Sequence, residues 1–274
     1  GYHGMQFDGS GRCVRVPGQD RIPSLAKVRT FRVEEVYGFV WIWLGAQNEA
    51  RRELIPNFHW MTDPDWAVSP GYHLIEANYQ LLNDNLLDLS HESYVHQETI
   101  GNEAVADSPL SVDVKDGVVR AHRDMLNCEP PPFYVQASGS KGNIDRWHTT
   151  IFVPPSFNII ENGSVPAGMD KSVARERGVI RERRVLNLVT PETEQSSHYF
   201  WAVVRNYDTQ NAELTEYIRH QVEVTFEQDK TVLEAQQKAL GNNPSSAFPV
   251  ALRADLGAIQ GRRLLSQLLE NRAP

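Results

Sequence analysis

Between 109 and 204 the sequence returns six times to short strand-like runs, at 110–114, 118–122, 149–153, 157–160, 178–189 and 198–204. Turns containing Pro or Gly separate them, and no helical crossover of the kind a parallel sheet requires recurs between them. An antiparallel sheet is therefore expected. Two long helical patterns follow at 211–240 and 250–271, the second with Leu252, Leu256, Ile259, Leu264, Leu265, Leu268 and Leu269 at apolar positions. The sum is an α+β domain whose helices cover one face of the sheet.

Upstream, residues 1–47 carry strand-like runs at 12–16 and 37–44 between Gly, Pro and Asp turns, the pattern of a small all-β unit. Residues 48–70 are polar and rich in Pro (Pro56, Pro64, Pro70) and read as a linker, leaving 71–274 as the larger domain. Within 71–100 the spacing turns helical, with Leu81, Leu82, Leu86 and Leu89 on one broad face. The first residues show no initiator Met, basic stretch or apolar leader, as expected of a fragment whose upstream part is missing.

Composition removes several classes of function. With 27 Lys and Arg against 35 Asp and Glu the net charge is −8, which disfavours nucleic acid as a partner. No run approaches the roughly 18 apolar residues of a membrane span. Two cysteines, Cys13 and Cys128, do not make a secreted disulfide scaffold, and a cytoplasmic location is expected.

The chemistry concentrates in Asn83-Asp-Asn-Leu-Leu-Asp-Leu-Ser-His-Glu-Ser-Tyr-Val-His96. On an unbroken helix His91 and His96 would diverge by about 140°, so convergence on one ion requires the helix to end or bend between them. A third donor is available in Asp229, a carboxylate on the apolar side of the first long helical pattern, costly to bury unless it meets a cation or hydrogen-bond donors. Two imidazoles and one carboxylate form the facial triad of non-haem Fe(II) oxygenases. The same donors also suit a zinc hydrolase, with Glu92 as the nearby base, and a helix over a curved sheet also suits a non-catalytic carrier of hydrophobic ligands.

Four blocks, in order, carry a family resemblance. Gly1-Tyr-His-Gly-Met-Gln-Phe-Asp-Gly-Ser-Gly11 resembles the end of the second cluster motif of Rieske proteins, with His3 at the histidine position. Asn85-Leu-Leu-Asp-Leu-Ser-His-Glu-Ser-Tyr-Val-His96 resembles the iron signature of Rieske non-haem iron oxygenases. Thr190-Pro-Glu-Thr-Glu-x-Ser-x-His-Tyr-Phe-Trp201 and Glu227-Gln-Asp-Lys-x-Val-Leu-Glu-Ala-Gln-Gln237 resemble later blocks of the branch with vanillate O-demethylase, dicamba demethylase and toluenesulfonate methyl-monooxygenase.

The resemblance implies the C-terminal half of a Rieske all-β domain followed by a helix-grip-like catalytic domain. It implies His91, His96 and Asp229 as ligands of a mononuclear Fe(II), and Asp88 as the acidic bridge carrying electrons between subunits of a homotrimer, its carboxylate accepting from two imidazoles. Asn85 becomes an active-site asparagine, and Asn187 and His220 become substrate contacts. The activity implied is oxidative O-demethylation or methyl hydroxylation of a substituted aromatic acid such as vanillate. Dioxygen and electrons from a separate flavin and ferredoxin-type reductase would drive it. A Rieske [2Fe–2S] cluster needs two Cys and two His; of these only His3 is present, so this polypeptide is expected neither to assemble the cluster nor to turn over. Cys13, ten residues past His3, is read as a buried structural thiol, and Cys128 is given no role.

Overall fold

In the computed structural model the structure describes residues 3–241 and 250–270; Gly1 and Tyr2 of the first block, and residue 271 of the last helical pattern, lie outside them. The chain divides into two units, Gly1–Asp63 and Pro64–Pro274.

The first unit is built from two antiparallel hairpins, β1 (Gln6–Phe7) with β2 (Cys13–Arg15) and β3 (Arg32–Val36) with β4 (Phe39–Trp43). Tyr37 and Gly38 between β3 and β4 both take positive φ, 60° and 78°, the geometry of the tight turn that matches strand twist. Trp41 packs on Phe58 at 6.2 Å between ring centroids, and Phe58, 1% exposed, packs on Trp60 at 5.5 Å.

The second unit begins with β5 (Ala67–Ile75), α1 (Tyr79–Leu87), α2 (Glu92–Val95) and α3 (Glu103–Asp107). It continues with β6 (Ser111–Lys115), β7 (Val118–Cys128), α4 (Pro132–Ser138), β8 (Ile144–Val153), β9 (Phe157–Pro166) and α5 (Lys171–Glu176). It closes with β10 (Arg181–Thr193), β11 (Ser196–Arg205), α6 (Ala212–Leu240) and α7 (Leu256–Glu270). The seven strands form one antiparallel sheet in the order β5-β11-β10-β9-β8-β7-β6. Leu81, Leu82 and Leu86 of α1 and Ile218, Val222, Phe226 and Leu233 of α6 share one core with Ile75, Ile160, Val189, Trp201 and Val203 of the sheet. No helix among the described residues is long and apolar enough to cross a membrane.

Strand β5 lies where linker and helix were expected. Pro70 and Gly71 read as turn signals, but β5 is the edge of the sheet, bonded only to β11, where a proline's missing N–H is tolerated. Gly71 lies under the Trp201 ring, which any Cβ would strike. Ala67, Ser69, His73 and Ile75 turn inward, the alternation of a half-buried strand.

Candidate metal centre

Asn78 caps α1 by accepting from the Gln80 N–H. The helix stops at Asp88, whose φ of −119° is extended, and the chain re-forms as a 3-10 turn Leu89–His91 and then α2. His91 and His96 thus flank α2, and the departure from regular helix at His96 turns its ring back toward that of His91. The ring centroids stand 5.2 Å apart at 76°. After His96 the chain folds back so closely that a Cβ on Gly101 would collide with the Glu92 carbonyl oxygen. On α6 the buried stripe Val222, Thr225, Phe226, Asp229 and Leu233 places one carboxylate among apolar neighbours, 6% exposed.

The three donors meet. His91 Nε2 lies 3.3 Å and His96 Nε2 3.2 Å from Asp229 Oδ1, and the candidate ligand atoms all fall within 4.8 Å of one another. The far side of each ring is also held. His91 Nδ1 donates to the Asp88 carbonyl oxygen at 2.6 Å, and His96 Nδ1 donates to Gln228 Oε1 at 2.8 Å. Since both acceptors are carbonyls, Nδ1 of each ring carries a proton, and both Nε2 atoms turn to the carboxylate, where a protonated Nε2 donates to Oδ1 and a deprotonated one can ligate a metal. Asn85 Nδ2 donates to Asp229 Oδ1 at 3.0 Å and fixes it from α1.

Burial alone would lower the His91 imidazole, but the Asp229 carboxylate outweighs it and brings the group to about 9. Burial would likewise raise Asp229, yet hydrogen bonds from His91 and His96 hold it below the usual carboxylate range. Without a metal, the protonated His91 imidazole pairs with the ionised carboxylate.

Asp88 differs from expectation in its contacts. Its carboxylate accepts from the Ser90 N–H and Ser90 Oγ, both at 2.9 Å, and lies 3.5 Å from Arg123, while its backbone carbonyl, not its carboxylate, meets His91. Asn187 and His220 do not line the cavity beside the metal donors. Asn187 is fully buried between strands, donating to the Asn158 and Val185 carbonyl oxygens and accepting from Tyr199. His220 is exposed, since nine residues before Asp229 puts it on the opposite side of α6.

That cavity encloses about 690 Å3 of empty space, counting the part open to solvent. Leu86, Leu89, Ile160, Val185, Val203 and Phe226 make it apolar, and three buried polar side chains outside every motif enter it from the sheet: Arg146, His148 and Arg183. Arg146 donates to His148 Nε2 at 2.6 Å and stands 3.5 Å from the Glu92 carboxylate; burial raises Glu92 and, with Arg146 beside it, drives His148 well below its ordinary value. The only sequence trace of this wall is the placing of Arg146 with His148, and of Arg183 with Val185, two apart on strands.

The family model described as the vanillate O-demethylase oxygenase C-terminal domain matches residues 75–271. The vanillate O-demethylase oxygenase subunit of Pseudomonas sp. strain HR199 is 36% identical, over 98% of this chain and 77% of its own. A crystal structure of dicamba monooxygenase bound to 3,6-dichlorosalicylic acid superposes with a TM-score of 0.88 at 30% identity, over 99% of this chain and 80% of its own. Another, with non-haem iron and dicamba, gives 0.77 at 28% identity, over 99% and 79%.

Proposed function

The chain belongs to the vanillate O-demethylase oxygenase family, and as the oxygenase component of a Rieske-type monooxygenase it works with iron and a separate reductase; we propose that His91, His96 and Asp229 are the ligands of that iron, held as Fe(II). The observation that carries the assignment is the convergence of two Nε2 atoms and one buried carboxylate oxygen, with both Nδ1 protons held on carbonyls. That donor set fits ferrous iron and leaves coordination positions open. Bound there, the metal would supply the activation of O2 that oxidises a methyl carbon of a substituted aromatic acid, a methyl ether then giving phenol and formaldehyde.

The residues orient and exclude. Asn85 holds the Asp229 oxygen in place, the apolar cavity wall keeps water from the reacting carbon, and Gln228 and the Asp88 carbonyl lock the two rings. Asp88 is assigned the electron path between subunits of a homotrimer, served by a flavin and ferredoxin-type reductase. Of the residues here, His3 is the one the family resemblance matches to a [2Fe–2S] cluster ligand. His3 is exposed, and the Cys13 thiol is buried and donates to the Arg15 carbonyl oxygen, so no step is routed through a cluster. A non-catalytic carrier is not favoured, because the relatives are oxygenase components.

Anaerobic loading with ferrous iron, followed by metal analysis, tests the assignment. About one tightly held iron per chain is expected, falling to background in Asp229→Ala. Equal iron in the parent and the variant would remove the triad.

A further inference from the structure

Strand register lines up five inward-facing residues across the sheet: Arg205 on β11, Arg183 on β10, Asn162 on β9, His148 on β8 and Arg123 on β7. The row contains three guanidiniums and no carboxylate. Two of the three are answered. Arg123 meets Asp88 at 3.5 Å, and Arg205 donates to the carbonyl oxygens of Tyr207, Asp208 and Asn211 at 3.0–3.1 Å and to Thr215. Arg146, one pleat away on β8, faces Glu92.

Arg183 is the exception. It is 2% exposed, and its partners are all neutral: Asn162 Oδ1 at 3.1 Å from Nε, and Ser138 Oγ at 3.0 Å and the Tyr207 hydroxyl at 2.8 Å from Nη1. Its Nη2 is buried with no hydrogen-bond partner, and the side chain lines the cavity. The rings of Phe133 and Tyr134, at 4.9 and 4.4 Å, offset part of the cost of the buried charge, and the Tyr134 hydroxyl beside the guanidinium is one more neutral group, so no carboxylate answers the cation. A buried cation without a counter-charge is costly, and a guanidinium fork is shaped for a carboxylate or sulfonate.

We infer that Arg183 is the specificity-determining residue that receives the anionic group of the substrate, an arenecarboxylate or arenesulfonate, with Asn162 holding the guanidinium in place. The inference rests on the proposed reading of this cavity as the substrate pocket. The aromatic ring of the substrate then lies against Ile160, Val185, Val203 and Phe226, while the anion is held by the sheet and the iron by the helices.

Isothermal titration of the full chain with 4-methoxybenzoate and with its uncharged counterpart 4-methoxybenzamide tests this. The parent should prefer the benzoate by at least about tenfold, as a charge-assisted pair implies. Arg183→Gln should abolish that preference by weakening benzoate alone, and Arg183→Lys should keep only part of it. Should the Gln variant fail to fold, the parent's own preference and the Lys variant decide. A parent indifferent to charge, a Gln variant that keeps the preference or loses both ligands equally, or a Lys variant matching the parent would each overturn the assignment. Running the titrations with and without ferrous iron separates the two readings. Iron bound without anion preference sinks this inference alone, and anion preference without iron binding sinks the metal assignment alone.

Discussion

The helical and sheet walls of the cavity bury charge in opposite ways. The helical wall carries carboxylates one turn apart, Asp84, Asp88 and Glu92, and each is met by a guanidinium from elsewhere: Arg262 of α7, Arg123 of β7 and Arg146 of β8. Its fourth carboxylate, Asp229, meets two imidazoles instead, which answer it only by taking a proton or sharing a cation. The sheet wall carries cations, and Arg183 alone on its inward row meets neither a carboxylate nor a set of carbonyl oxygens. The difference teaches that charges answered by an opposite side-chain charge or a full set of carbonyl oxygens are scaffolding in this core, whereas Asp229, met by imidazoles that a metal can share, and Arg183, met by a few neutral groups, mark the places kept for ligands.

Truncating an arginine on each side puts that distinction under the heaviest load. Arg146→Met strands Glu92, 4% exposed, beside an apolar cavity and should cost about 3–5 kcal/mol in urea unfolding. Arg183→Met strands no charge and should cost only about 1–2 kcal/mol. Equal losses would dissolve the contrast between the walls.

The next effect belongs to the proton that stands in for the metal. In the iron-free chain His91 sits at about 9, above its ordinary 6.5, so its contribution to stability is complete below pH 6.5 and is lost as pH rises through 9. Asp229, held below its ordinary 3.8, contributes above that value and loses its contribution as pH falls further. Both describe one interaction, so thermal unfolding of the iron-free protein should show a plateau between about pH 4 and 6.5 and fall by up to about 3 kcal/mol toward pH 9. Iron must displace that proton, so ferrous affinity should weaken about tenfold per pH unit below 9. A flat stability curve with a pH-independent affinity would show that Asp229 and His91 do not share charge.

Smaller again is the hold on His96. Gln228→Leu removes the acceptor that keeps its proton on Nδ1 and should lower ferrous affinity about 10–100-fold, with little change in the unfolding of the iron-free chain. His91 has no equivalent weak point, because its acceptor is a backbone carbonyl.

How much of this could be read from the amino-acid order follows the same division. Periodicity located α6 within a residue, expected at 211–240 and found at Ala212–Leu240, and the strand-like runs marked β6 to β11, because a half-buried strand or helix writes its period into its own sequence. Strand β5 was hidden by Pro70 and Gly71, whose presence depends on an edge position and on the Trp201 ring, both tertiary facts. Short α4 was masked by Pro130, Pro131 and Pro132, though Pro132 sits in its first turn, where no N–H is needed. On the helical wall His91 and His96 are five residues apart and legible together. The basic row of the sheet joins residues up to 82 positions apart through register alone, and Arg183 and Arg146 carry no local mark beyond their strand alternation with Val185 and His148.

The mildest test bears on Asn187, which the family resemblance implies as a substrate contact. Its carboxamide accepts from the buried Tyr199 hydroxyl at 2.6 Å and donates to the Asn158 carbonyl oxygen at 3.1 Å, while Asn158 Nδ2 donates to Asn83 Oδ1 of α1 at 2.8 Å. This chain ties the sheet to α1 on the turn of Asn85, and it reaches the cavity wall only through the Tyr199 ring, which packs on Phe226 at 5.3 Å. Tyr199→Phe leaves one buried acceptor unmet and should cost about 1 kcal/mol in stability. If the chain is scaffolding, ferrous affinity and the preference for benzoate over benzamide both stay within about twofold of the parent, since neither Asp229 nor Arg183 loses a partner. A tenfold fall in iron affinity from so slight a change would mean that the sheet sets the position of α1, and that the two walls are one mechanical unit rather than two independent holders of charge.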